Sequence, residues 1–457
     1  MEQRKENKMR TMPEGRLLLG MSIPLCISML VQAFYNIVDS IFVAKISENA
    51  LTAVSLAYPV QMLMIAVSVG TGVGFNALIS RKLGEKRKED AVAAANNGLM
   101  LMLLSALAFC LFGIFGAKPV FGMFTADEEI RALGTTYLSI CCTFSFGVFL
   151  QIGAERILQS QGQNTAAMAS QLIGAVTNIV LDPILIFGLL GFPKMGIAGA
   201  AVATVAGQIF GMLCCFMMLM LGKFEVKPSP KGFRPDKEVV VSIYRVGVPA
   251  IIMQAVGTVM NLMMNALLIA YTPTAVAVFG TFFKIQSLAF MPVFGMTTAA
   301  MSIIAFNYGA KMPDRVLRTR KLALTAALCW LSLGMLCFLL FPATLLGMFE
   351  ASETMLGIGV PALRIMCLGF PFAAIGITNG TIFQGLNRGL YSMIVSLIRE
   401  LVVLVPVAYL ISMIFGKLGL IWWAVPIGGV VSALVSMYFF GKVKKEQIVP
   451  MQAAQNN

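Results

Sequence analysis

Apolar runs long enough to cross a bilayer follow one another along nearly the whole chain. They lie at roughly 17–44, 52–80, 91–117, 129–160, 164–190, 195–222, 239–271, 275–307, 317–343, 354–387, 390–415 and 419–441. About 20 consecutive apolar residues span the hydrocarbon as an α-helix. Inside it every backbone N–H and C=O must be bonded within the protein, which leaves helices and closed barrels as the only spanning structures. The alternating pattern of barrel strands is absent from these runs. Charged residues make up 12% of the chain, against about 25% in a soluble domain, and the mean hydropathy is +0.85. The expected fold class is therefore an all-α polytopic membrane protein with twelve transmembrane helices. Several runs exceed the minimal span, which implies tilt or extension beyond the lipid.

The basic segment 1–16 leads into a run too long for a secretory h-region, so the first span is expected to be retained. Lys and Arg cluster at 81–88, 223–237 and 311–321, whereas the alternate loops carry only Lys45, Lys118, Lys194 and Lys417. By the positive-inside rule both termini are expected in the cytoplasm. The same loops account for the net charge of +13, so nucleic acid is not needed as a partner. The chain has no histidine, which removes imidazole relays and most transition-metal chemistry. All nine cysteines fall within predicted spans and read as packing residues rather than disulfides or metal ligands. No cofactor is expected.

The chain also repeats itself. At an offset of 225 residues Pro24 meets Pro249, Gln61 meets Gln286, Gly70 meets Gly295, Lys86 meets Lys311, Gly122-Met123-Phe124 meets Gly347-Met348-Phe349, Gln159 meets Gln384 and Gly191 meets Gly416. Six spans per half preserve the starting side, so the repeats are parallel. The expected organisation is a six-helix bundle at 1–222, a basic cytoplasmic linker at 223–238 and a second six-helix bundle at 239–457. Two pseudo-symmetric bundles suit alternating access by a secondary transporter. No G-x-x-x-x-G-K-[ST] occurs to couple ATP. The G-T-G-V-G at Gly70–Gly74 lies inside a span and reads as close helix packing.

Asp39 and Asp182 stand inside apolar runs, where a charged group is costly and marks a functional site by default. Counted from the predicted span ends at about 1.5 Å per residue, Asp39, Tyr137, Asp182 and Thr204 all lie roughly 10–14 Å below the outer surface. Asn178 is four residues before Asp182 and shares its helix face. Pro183 donates no N–H, which leaves the carbonyl of Ile179 without its helical partner. Carboxylate, amide, hydroxyl and freed carbonyl oxygens suit a hard cation or a proton, and the same oxygens serve Na⁺ and H⁺. The plainer alternative is two carboxylates that each brace helix packing. The second half has Met264, Val403 and Val407 at the positions of Asp39, Asn178 and Asp182, which places the coupling site in the first half alone.

Other charges read less specifically. Lys284 is the one cation expected well inside the second bundle. Arg399 and Glu400 are adjacent in span eleven and on an α-helix point about 100° apart, so they are not expected to pair directly. Glu155 and Arg156 near the inner end of span four read as an inner gate or loop anchor. With 32 Met and 32 Phe the chain can line a pocket that repacks around varied apolar cations. Met29, Gln32, Asn36, Asn261, Asn265, Lys284, Met291 and Phe294 are the candidate cleft lining.

The S-I-P at Ser22–Pro24 followed by N-x-x-D at Asn36–Asp39, L-G-E-K-R-K-E-D-A at Leu83–Ala91, N-I-V-L-D-P at Asn178–Pro183 and G-I-A-G-A-A-V-A-T at Gly196–Thr204 resemble the MATE (multidrug and toxic compound extrusion) transporters, in their DinF-like and MepA-like branch. V-G-V-P-A at Val246–Ala250, F-N-Y-G-A-K at Phe306–Lys311 and F-Q-G-L-N-R-G at Phe383–Gly389 extend the resemblance through the second half. It implies the MATE fold and antiport of organic, often cationic, drugs or toxins against H⁺ or Na⁺ across a bacterial inner membrane, by a monomer. It also implies coupling-ion binding by Asp39, Tyr137, Asn178, Asp182 and Thr204, and bending of span one at Pro24. One departure is that spans seven and ten lack the central carboxylates of some branches, so ion coupling of that kind in the second half is not expected. The alternative function is a flippase for a lipid-linked saccharide, which fourteen spans or a strongly cationic cavity would favour. An intramembrane enzyme would need a nucleophile with its base, or metal-spaced acids, and neither is present.

Overall fold

The computed structural model describes residues 7–229, 233–349 and 351–456. Among these residues the regular structure is entirely helical. Eleven helices are long and apolar enough to cross a membrane: Glu14–Ala44, Glu48–Gly84, Lys88–Phe115, Asn164–Phe187, Ile197–Leu221, Lys237–Ile269, Pro273–Gly309, Pro313–Leu340, Glu353–Gly385, Gly389–Phe415 and Leu418–Gln455. The twelfth span, fourth in order, is a pair, Glu128–Thr143 and Phe146–Ser160, bent by 43°. The protein is a multi-pass membrane protein with the expected number and order of spans.

Helix ends follow local chemistry, and they follow it twice. Ser47 starts span two by accepting a hydrogen bond from the Ala50 N–H at 3.0 Å. Thr272, its counterpart one repeat later, accepts from the Thr274 N–H at 3.3 Å at the start of span eight. Asp127 and Ser352 cap spans four and ten in the same way, on Ile130 at 3.0 Å and Met355 at 3.2 Å. Such caps satisfy N–H groups that the first helical turn leaves without partners. Left-handed residues recur in register as well: Lys86 with Lys311, Gly162 with Asn387, and Gly191 with Gly416. Span ten carries a 3₁₀ turn at Cys367–Gly369, whose repeat equivalents, 142–144, run into the break in span four.

The chain divides into two compact units, Ile27–Ile251 and Met1–Cys26 with Ile252–Asn457. The divisions fall inside spans one and seven, two residues past Pro24 and Pro249, and not in the linker at 223–238. Spans one and seven therefore each contribute their first half to one unit and their second half to the other. Matching contacts hold those first halves. In the first-named unit a Cβ on Gly70 of span two would lie 2.7 Å from the Ile251 nitrogen of span seven. In the other, a Cβ on Gly295 of span eight would lie 2.8 Å from the Cys26 nitrogen of span one, and the Cys26 thiol donates to the Pro292 carbonyl at 3.1 Å. Only glycine lets two helix backbones approach this closely.

Each unit has its own core. Phe121, Leu138, Ile186 and Ala200 are buried together in the first, and Phe279, Phe282, Phe338, Phe370 and Trp422 in the second. Edge-on ring pairs such as Phe338–Phe370, with centroids 5.1 Å apart, suit the quadrupoles of aromatic faces.

Candidate functional site

Spans five and six are drawn together by two glycines. A Cβ on Gly207 would sit 2.7 Å from the Gly174 carbonyl oxygen, and one on Gly174 would sit 3.0 Å from that of Gly207. Asn178 and Asp182 follow Gly174 at successive four-residue steps, so both continue its face toward span six. Thr204 precedes Gly207 by three residues and continues the matching face. The polar side chains meet as a result. The Asn178 amide donates to Thr204 Oγ1 at 3.3 Å and approaches Asp182 Oδ1 at 3.5 Å. Asp182 is fully buried, and Asn178, Thr204 and Tyr137 nearly so.

Asp39 of span one is half-buried and lies close enough to Asp182 for the two carboxylates to repel. Tyr137 of span four receives a long hydrogen bond from the Gln61 amide, 3.4 Å, and stands within electrostatic reach of Asp39. All five expected residues therefore gather inside the unit Ile27–Ile251. Three of their oxygens, Asp39 Oδ1, Asp182 Oδ2 and Asn178 Oδ1, are sealed from solvent and receive no hydrogen bond from the protein. Buried acceptors without donors are uncommon and costly. Oxygens of this kind have the chemistry that suits a proton or a small hard cation.

Two further residues belong to the cluster and were not singled out from the sequence. Tyr35 faces Thr204 and lies within electrostatic reach of both aspartates. The signal was present, because Tyr35 and Asp39 are i and i+4 on one helix. Gln61 was noted only as a repeat match to Gln286, yet it holds the Tyr137 phenol.

Glu155 is fastened by neutral donors: Gln151 at 3.1 Å and Ser170 at 3.3 Å to one oxygen, and Gln171 at 3.0 Å to the other. Arg156 donates to Gln159 at 3.0 Å. The bonds from Ser170 and Gln171 tie span four to span five. Pro24 is buried within an unbroken span one.

Among the candidate cleft residues, Gln32, Asn36 and Phe294 are exposed, and Met29, Asn261, Asn265 and Met291 are half-buried. The first-half residues Met29, Gln32 and Asn36 belong to one unit and the other five to the second. Lys284 corrects an expectation: its side chain is exposed rather than well inside the second bundle. Arg399 and Glu400 correct another, since they pair directly, guanidinium to carboxylate. Residues Ile398–Leu404 form a π-helix, which changes the angular step between neighbours, and the long arginine bends back to its neighbour.

Eleven to twelve spans in duplicate, with a sealed polar cluster in one unit, are the architecture of a membrane transporter. Comparison with known proteins makes this specific. The chain belongs to the MatE family, whose model matches residues 24–184 and 249–410. It is 24% identical over 432 residues to a protein named FAD transporter from Shewanella oneidensis, covering 94% of this chain and 95% of that one. It is also 24% identical over 425 residues to the multidrug export protein MepA of Staphylococcus saprophyticus, covering 92% of each. Its fold matches that of a multidrug resistance MATE family transporter solved in an outward-facing conformation, with a TM-score of 0.91 and 27% identity over 98% of this chain and 99% of the other.

Proposed function

We propose that the protein is a cation-coupled antiporter that exports organic, often cationic, compounds by alternating access. The observation that carries this reading is the set of three donor-less buried oxygens on Asp39, Asp182 and Asn178. Uptake of H⁺ or Na⁺ from outside relieves the repulsion between the carboxylates and weakens the hold on a bound organic cation. The two repeats then rock, the ion leaves to the cytoplasm, and substrate binds again. Pro24 lacks the N–H that would bond the Gly20 carbonyl, so span one bends there at low cost.

The relative named for multidrug export supports small organic substrates. The relative named FAD transporter brings a flavin nucleotide into the range to be tested. Eleven to twelve candidate spans, rather than fourteen, weigh against a lipid-linked saccharide. In this reading the protein acts as a monomer in a bacterial inner membrane, with both termini cytoplasmic.

Expression in a drug-sensitive bacterial host tests it. The wild type should lower ethidium accumulation. Asp39→Asn and Asp182→Asn, present in the membrane at wild-type levels, should leave accumulation as high as in the empty host. Undiminished extrusion by both variants would remove the cluster from the mechanism.

A further inference from the structure

Arg320 stands about two turns into span nine, where three helices of one unit meet. Its Nε donates to Asn379 Oδ1 of span ten at 3.2 Å. Its guanidinium carbon lies 3.5 Å from the ring centroid of Phe440 on span twelve. Asn379 is fully buried and held in turn, because its amide N–H donates to Ser436 Oγ at 3.2 Å. Ser436, also fully buried, donates to the Ala433 carbonyl at 2.9 Å. Amide and ring thus fix the plane of the guanidinium. The set is no part of the duplicated scaffold: Arg320, Asn379 and Ser436 stand where the first half has Ala95, Ala154 and Gly211.

The guanidinium is only partly satisfied. Of its N–H donors, Nε alone has an acceptor among the described residues. Nor does a carboxylate answer its charge, since the described acids of the unit are placed elsewhere. Glu14 pairs with Arg315 at 3.4 Å, Glu446 with Arg388 at 3.2 Å, and Asp314 accepts from Gln452 at 2.9 Å. Glu400 pairs with Arg399, and Glu353 begins span ten at its other end. A cation in a membrane span without a counter-charge is costly and marks a site. Its two Nη groups form a fork, the geometry that grips two oxygens of one phosphate or carboxylate.

We propose that Arg320 holds the headgroup phosphate of an anionic phospholipid, with Asn379 and Phe440 aiming the guanidinium. The surroundings favour a lipid over a soluble anion. Leu317 and Leu324, one turn to either side of Arg320, are half-buried, and Met437, one turn before Phe440, is exposed. A Cβ on Gly441, beside Phe440, would meet nothing within 4 Å. Acyl chains cover an apolar, open surface of this kind, whereas a hydrated anion does not. The same end of the unit exposes Lys321, Lys442, Lys444 and Lys445, and basic clefts between spans suit lipid headgroups. A zwitterionic headgroup brings its own cation and leaves the guanidinium unanswered; an anionic one neutralises it. In the orientation proposed above this end meets the cytoplasmic leaflet. The site does not depend on the antiport reading.

Native mass spectrometry of the full chain in detergent, titrated with phosphatidylglycerol or phosphatidylcholine, tests the site. The wild type should bind its first phosphatidylglycerol at least about tenfold more tightly than phosphatidylcholine, and Arg320→Gln should lose most of that preference. An equal preference in wild type and Arg320→Gln would overturn the proposal. A large excess of inorganic phosphate should leave the lipid in place; its displacement would assign the site to a soluble anion and overturn the lipid. Should Arg320→Gln fail to fold, Asn379→Asp keeps an oxygen on Nε and supplies the missing counter-charge. That variant should fold and show no preference for phosphatidylglycerol, a change that an arginine serving only to tie helices together would not produce. An undiminished preference in Asn379→Asp would likewise overturn the site.

Discussion

Asn178 is the hinge of the polar cluster at the scale of single residues, because one amide serves both Thr204 and Asp182. Asn178→Ala should leave buried oxygens without a donor, which costs about 1–3 kcal/mol. The expected outcome is a lower melting temperature for the detergent-purified variant, together with loss of transport; an unchanged melting temperature would mean that the amide carries no structural load. Thr204→Val removes one acceptor and should cost about 1 kcal/mol in the same assay. Most of this cluster was legible in the sequence, since Asp39 and Asp182 interrupt apolar runs and Asn178 shares a helix face with Asp182. Tyr35 was passed over despite its i, i+4 spacing to Asp39, because an aromatic in a membrane helix ordinarily reads as lipid-facing. The Arg399–Glu400 pair was misread because the 100° step assumes an α-helix, and local widening to a π-helix leaves no mark in hydropathy.

At the scale of elements, spans two and eight depend on glycine at equivalent places. Gly70→Ala and Gly295→Ala each push a methyl into a neighbouring backbone nitrogen less than 3 Å away. Each should cost about 1–3 kcal/mol by overpacking, read as a fall in melting temperature. Gly20→Ala and Gly441→Ala meet nothing within 4 Å and should leave stability near that of the wild type. Equal behaviour of the two pairs would refute close packing as the reason for these glycines. The span order and the repeat were readable because hydropathy and matched Gly, Pro and Gln survive in one dimension. The 43° break in span four was not, since no charged residue or proline marks it between 132 and 154. At the break the Ser145 hydroxyl donates to the Ala106 carbonyl of span three at 3.1 Å, a contact between spans that the order of residues along the chain does not record.

At the scale of the molecule, duplication sets the frame and asymmetry sets the function. Caps, left-handed residues and helix–helix glycines recur in both halves, whereas the Asp39–Asn178–Asp182 cluster occurs in one and the Arg399–Glu400 pair in the other. Sequence halves and compact units differ because spans one and seven are each shared near a proline, a division that composition along the chain does not record. In the proposed mechanism an ion gradient acting on the cluster in Ile27–Ile251 drives export. Ethidium efflux from vesicles holding the purified protein, with a pH gradient and a Na⁺ gradient imposed separately, tests it most directly. Efflux should follow at least one gradient in the wild type and fall to the level of empty vesicles in Asp39→Asn and Asp182→Asn. Efflux that ignores both gradients, or that persists undiminished in both variants, would contradict it.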